Sequence, residues 1–155
     1  MRQRNIVVNS LRVRGGAQAL TGAITLNEQD HAYHTLVLNN ATGFTVTLPA
    51  ATGSGAIYKF VVGTTVTSGS LIIQCGNTTD EFHGLLMLCD TDTTDTLTAE
   101  VALDGDGFDT ITMDGSTAGG IMGDSFEIID YAAGKFALIS EVNITGDVGT
   151  VISAA

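Results

Sequence analysis

The densest run of possible ligands in the chain is Asp104-Gly-Asp-Gly-Phe-Asp-Thr-Ile-Thr112. Hard cations such as Ca²⁺ take several oxygens from a tightly turned backbone, and Asp and Gly supply both. Asp104, Asp106 and Asp109 are therefore the calcium candidates, and no other cofactor is expected. The run nearly matches the Gly-Gly-x-Gly-x-Asp-x-apolar-x repeat of calcium β-rolls, with Asp104 in place of the first Gly. That repeat works by stacking several copies, and here there is one. EF-hand spacing fails at Phe108 and Gly115. The competing reading is an acidic turn between strands at 97–102 and 110–113.

Other reactive types are scattered. His31 and His34 stand near Glu28 and Asp30, a zinc-like set, but on a strand side chains i and i+3 face opposite ways. His83, in Asp80-Glu-Phe-His-Gly84, is expected in a turn, and a lone histidine needs an oriented partner to act as a base. Paired carboxylates admit a glycosidase by residue type. With no Trp, three Tyr and six Phe, the chain offers few platforms for stacking sugars. Nucleophile-elbow, P-loop and dinucleotide motifs are missing, and Gly53-Ser54-Gly55 reads as turn chemistry. Catalysis is not expected.

Ten carboxylates and no Lys or Arg stand between Asp80 and Asp114. This tract is either a solvated loop face or a surface that gathers cations and repels neighbours. The net charge of −11 conceals an asymmetry. Arg2, Arg4, Arg12 and Arg14 are four of the six basic residues, and the 141 residues after them carry all 17 acids against Lys59 and Lys135. So acidic a body disfavours phosphate backbones, and no nucleic-acid partner is expected. The basic segment suits an acidic surface on a partner or on a neighbouring copy.

No apolar run approaches the ~20 residues a membrane helix needs, so no membrane partner is expected. The start Met-Arg-Gln-Arg-Asn lacks the apolar segment of a signal peptide. Cytoplasmic synthesis follows as an expectation, with Cys75 and Cys89 reduced and buried, a disulfide between them being the alternative.

These residues must be positioned by strands. A Thr-rich chain with 19 Gly and one Pro reads as all-β. Charged residues make up only 15%, low for a surface wholly in water, so a partner is expected to cover part of it. The length suits a single domain. Residues 1–16 read as a basic arm ending in the Gly15-Gly16 joint, 17–147 as a β domain, and 148–155 as a small-residue tail, mobile or used between subunits. In the arm, Arg2, Arg4, Arg12 and Arg14 would position a partner, and Ile6, Val8 and Leu11 would anchor it by strand addition.

Strand candidates recur about every ten residues: Ile24–Leu26, Tyr33–Leu38, Thr45–Leu48, Ile57–Val62, Leu71–Gln74, Leu85–Cys89, Leu97–Ala102, Thr110–Met113, Ser125–Asp130 and Lys135–Ser140. Helical pieces are confined to Gln18–Leu20 or Asn27–Asp30. The expectation is a β-sandwich or jelly-roll-like barrel of about eight to ten short antiparallel strands, because a parallel return needs a long crossover.

The stretch Val46 to Gly63, strand, Pro49 turn and strand, resembles a cassette of phage capsid decoration (cement) proteins and of head or tail fibre modules. Asp80-Glu-Phe-His-Gly84 is similar to the family's acidic-x-x-x-Gly turn. Gly123-Asp-Ser-Phe-Glu127 and Gly134-Lys-Phe-Ala-Leu-Ile139 resemble its Gly-Asp strand and its Gly-x-aromatic C-terminal strand. The resemblance spans roughly residues 20–145 and departs at Phe136, where a Trp is often found. It implies a virion component without enzymatic activity, often a homotrimer. The function expected from it is a decoration protein on the outer face of the major capsid protein shell, stabilising the head against internal DNA pressure. The alternative is a fibre or receptor-binding module engaging host glycans.

Overall fold

The computed structural model describes residues 16–92 and 96–154. It is all-β, half strand and 3% helix, built as two sheets around one core. The strands in chain order are β1 (Ala17–Leu20), β2 (Ile24–Thr25), β3 (Thr35–Leu38), β4 (Thr45–Thr47), β5 (Ile57–Val62), β6 (Leu71–Gln74), β7 (Glu81–Asp90), β8 (Thr96–Ala102), β9 (Thr110–Met113), β10 (Ser125–Ala132), β11 (Lys135–Ile144) and β12 (Ile152–Ser153). One short helix, α1 (Glu28–His31), is capped by the Asn27 side chain accepting from Asp30 N. Gln18–Leu20, a helical option by sequence, lies instead in β1.

The larger sheet runs β1-β3-β5-β10-β11-β7-β8 and the smaller β12-β9-β6-β4-β2. From β1 to β7 the chain alternates between the sheets at every strand. Consequently β1, β3 and β5 are parallel neighbours in one sheet, and β2, β4 and β6 in the other. The largely antiparallel pairing expected from sequence is corrected here. A parallel return does need a dozen or so residues, but a strand in the opposite sheet supplies that length as well as a helix does. Successive coils are unequal, Ala17 aligning with Thr35 and Thr35 with Lys59, so no sequence repeat betrays the winding. Antiparallel pairing appears where β10 inserts between β5 and β11, at β7/β8, and where β9 joins β6 and β12.

Alternation explains the core. In β5 the inward residues are Tyr58, Phe60 and Val62, and in β10 they are Phe126 and Ile128, all buried. Phe60 stacks on its register partner Phe126 at 5.1 Å, and Phe136 packs on its partner Phe82 at 6.1 Å. Phe136 thus fills the core from the position where the resemblance expects Trp. Burial of each such ring contributes about 1.5–3 kcal/mol.

Buried and half-buried carboxylates fasten the loops to this core. Asp130, 3% exposed, accepts from the N–H groups of Thr52, Gly53 and Ser54 at 2.6–3.2 Å and from the Thr52 and Ser54 hydroxyls. It closes the Pro49 turn of the cassette. Asp124 takes Gly120 N and Ile121 N on one oxygen, and Asn143 N and Nδ2 on the other. Asp80 accepts from Ala51 N, and Asp114 from Ser116 N and Ala118 N. Glu100 accepts from Val151 N and Ile152 N at 2.8–3.1 Å. With Val151 and Ile152 buried and β12 on β9, the C-terminal segment belongs to the smaller sheet, where the sequence suggested a mobile or intersubunit tail.

Candidate functional site

β7 begins at Glu81, so Glu81 and His83 lie on a strand where the sequence suggested a turn. Two residues apart on a strand, they share a face, here the outward face of the larger sheet, opposite buried Phe82. Gly84 allows this placement. Its φ is +141°, and a Cβ there would lie 2.3 Å from the Leu138 carbonyl oxygen, so only glycine lets β7 approach β11 at this point.

The turn after β8 folds back and delivers Asp104 to the same spot. His83 Nε2 lies 3.0 Å from Glu81 Oε1 and 3.7 Å from Asp104 Oδ1. Nδ1 of the same ring meets the Tyr131 hydroxyl at 2.5 Å, and Lys135 pairs with Asp104. The side chains of His83 and Glu81 are only 15% and 16% exposed, whereas that of Asp104 is 73% exposed. Gly105 N and Gly107 N donate to the Glu81 carboxylate at 3.2–3.4 Å, tying the turn to the strand.

These contacts set the electrostatics. The His83 ring, against a smaller opposing effect of burial and helped by the two glycine N–H groups, holds the Glu81 carboxyl below the usual glutamate range. Lys135 likewise depresses Asp104 and is itself raised by it. Chemically the arrangement offers two carboxylates and an imidazole to one point in space, a ligand set for a divalent cation.

The three calcium candidates do not converge. Asp104 turns to Lys135 and His83, and Asp106 accepts from Leu103 N at 2.9 Å. Asp109 is buried at the head of β9 and accepts from the Thr110 hydroxyl. The loop is indeed a turn between two strands, and one of its three acids joins a different cluster. The acidic tract also divides. Asp80, Glu100 and Asp114 serve the backbone, so it is not one solvated face.

His31 is buried in α1 against the Asn27 backbone, and His34 is not brought to it. Cys75 and Cys89 are free thiols. Burial, with Asp80 and Asp109 nearby, pushes the Cys75 thiol far up, so it is an inert core residue. The arm residues Arg2, Arg4, Ile6, Val8, Leu11, Arg12 and Arg14 lie outside the described residues. The signal for Glu81 and His83 was the Glu-x-His alternation itself; nothing local signalled that Asp104, Tyr131 or Lys135 would meet them.

A second feature of the larger sheet is apolar. Across its outer face Ile139, Leu85 and Val101 are register neighbours, each about half exposed, and Leu97 on β8 is 64% exposed. Beside the row, Lys59 and Glu127 pair at 3.1 Å. β8 is the last strand of the sheet and is exposed along most of its length. A hollow of about 290 Å³ opens next to it between Met87, Leu97, Glu141 and Asn143. Among the described residues no helix is long and apolar enough to cross a membrane. No family model, curated protein or solved structure matches the chain.

Proposed function

We propose that the chain is a phage virion structural protein, a capsid decoration protein that assembles as a homotrimer and binds the outside of the major capsid protein shell. The apolar row Ile139, Leu85 and Val101, ending at the open edge strand β8, carries this reading. The core is complete without these side chains, so their exposure costs solubility unless another surface covers them. A second copy suits the face, because the charges beside the row, Lys59 and Glu127, already neutralise each other. The basic arm is then left for the shell, where Arg2, Arg4, Arg12 and Arg14 would position it. The low share of charged residues and the resemblance of the cassette support the same reading.

Mechanistically, a clamp that binds adjacent shell subunits stabilises the assembled state by mass action. Repetition over a symmetric particle multiplies modest contacts into high avidity. The function requires no catalysis.

Two variants test the parts separately. Deleting residues 2–14 should leave the trimer intact and abolish occupancy on preassembled shells. Leu85→Glu with Ile139→Glu should yield a folded monomer by light scattering. Undiminished occupancy without the arm would refute the arm's role, and an unchanged trimer would refute the role of the face. Copy number in purified virions should match the shell lattice. A handful of copies, with host-cell adsorption by the isolated protein, would favour the fibre reading instead.

A further inference from the structure

We infer that Glu81, His83 and Asp104 form a binding site for a divalent transition-metal ion of the zinc class. The site is independent of the proposed virion role and rests on three observations.

The first is ligand convergence. Among the described residues this is the group whose donor atoms, one imidazole nitrogen and two carboxylate oxygens, all lie within 4.8 Å of one another. Four-coordinate zinc holds N and O donors at about 2.0–2.2 Å, which puts neighbouring donors about 3.3 Å apart. The separations of 3.0 and 3.7 Å from Nε2 bracket that value.

The second is the state of the imidazole. Nε2 of His83 is inaccessible to solvent and makes no hydrogen bond of good geometry, its approach to Glu81 Oε1 being a close electrostatic contact. Glu81 Oε1 is close enough, but it does not lie in line with an N–H bond. A lone pair on Nε2 directed at a cation shared with that oxygen explains both the short separation and the missing hydrogen bond. An unpaired polar atom at such a place otherwise costs free energy.

The third is the support around the ligands. With Nε2 as ligand the ring proton resides on Nδ1 and is donated to Tyr131. This is the arrangement that fixes the tautomer and orientation of metal-bound histidines. Gly105 N and Gly107 N orient the Glu81 carboxylate in the same way. Two carboxylates neutralise a dication, and the mixed N,O set favours zinc-like ions over Ca²⁺ and Mg²⁺. Three protein ligands leave a position open to water or to a group from a partner. Lys135 is the built-in competitor, since its ammonium holds the carboxylate that the ion needs.

Titration calorimetry of the untagged full-length protein with ZnCl₂, together with the visible spectrum on adding Co²⁺, tests the site. A single ion per chain and a Co²⁺ spectrum of low-symmetry N,O coordination are expected. His83→Ala and Asp104→Asn should each weaken Zn²⁺ binding by at least about tenfold, and Tyr131→Phe by about 10-fold or more. Lys135→Met should tighten it by about tenfold, through loss of a competing charge. His34→Ala should leave it unchanged. Zn²⁺ binding that is undetectable in the wild type, equal in Asp104→Asn, or weaker than Ca²⁺ binding would overturn the assignment. Asp104 is exposed, so its variant decides the matter even if His83→Ala does not fold.

Discussion

Asp80 and Glu81 are adjacent in the chain and end in two different kinds of carboxylate site. Asp80 points inward and accepts from the backbone at Ala51. Glu81 points outward and meets His83, with only long contacts to Gly105 and Gly107. The same division separates Asp114, Asp124 and Asp130 from Asp104. Asp80, Asp114, Asp124 and Asp130 hold main-chain N–H groups of the loops and strand ends, so their geometry is set by the fold. The outward acids, Glu81 and Asp104, face the side chains of His83 and Lys135. A chain of one net charge sign therefore uses its acids for two purposes, loop closure inside and ligand presentation outside.

The sharpest way to break this division is Asp130→Ala, which strands three N–H groups and two hydroxyls at the Pro49 turn. It should cost about 4 kcal/mol in urea unfolding. Loss below about 1 kcal/mol would mean that water replaces the carboxylate freely.

The adjacent pair gives a smaller contrast. Asp80→Ala should cost about 2 kcal/mol and Glu81→Ala below about 0.5 kcal/mol, because a buried acceptor at 2.8 Å is lost in the first and only long backbone contacts and an ion pair in the second. Equal costs would erase the distinction between the two faces.

Acid titration sharpens the comparison further. Burial alone would raise the carboxyls of Asp114 and Asp130, but the N–H and hydroxyl donors outweigh it and both are held below the usual aspartate range. A carboxyl depressed on folding stabilises the native state fully above the unfolded value of about 3.9. That contribution falls away as pH drops through the lower folded values. Melting temperature should therefore decline on acidification through this range, and Asp130→Asn should flatten the decline. A slope unaffected by the substitution would assign it to other acids.

Local pattern made most strands legible. Thr45-Val46-Thr47 and Ile57 to Val62 alternate in sequence as they alternate in burial. β1 was obscured because Ala17-Gln18-Ala19-Leu20 has helical propensity, and only the parallel ladder to β3 makes it a strand. β12 was obscured by the small residues around Val151 and Ile152, which gain their order from Glu100. The start of β7 read as a turn because Asp80 and Gly84 bracket it, although the bend is absorbed within the strand.

The sequence by itself determined the all-β character, the turn chemistry and the charge imbalance, because period-two alternation and Gly placement act between near neighbours. The tertiary structure alone decided strand direction, which carboxylates face inward, and the meeting of Glu81 and His83 with Asp104, Tyr131 and Lys135. Those outcomes depend on contacts between residues from 21 to 52 positions apart and beyond, as in Asp104 with His83, Tyr131 with His83, and Val151 or Ile152 with Glu100. Chain closure over such distances is set by the packing of whole sheets and leaves no mark on any local pattern.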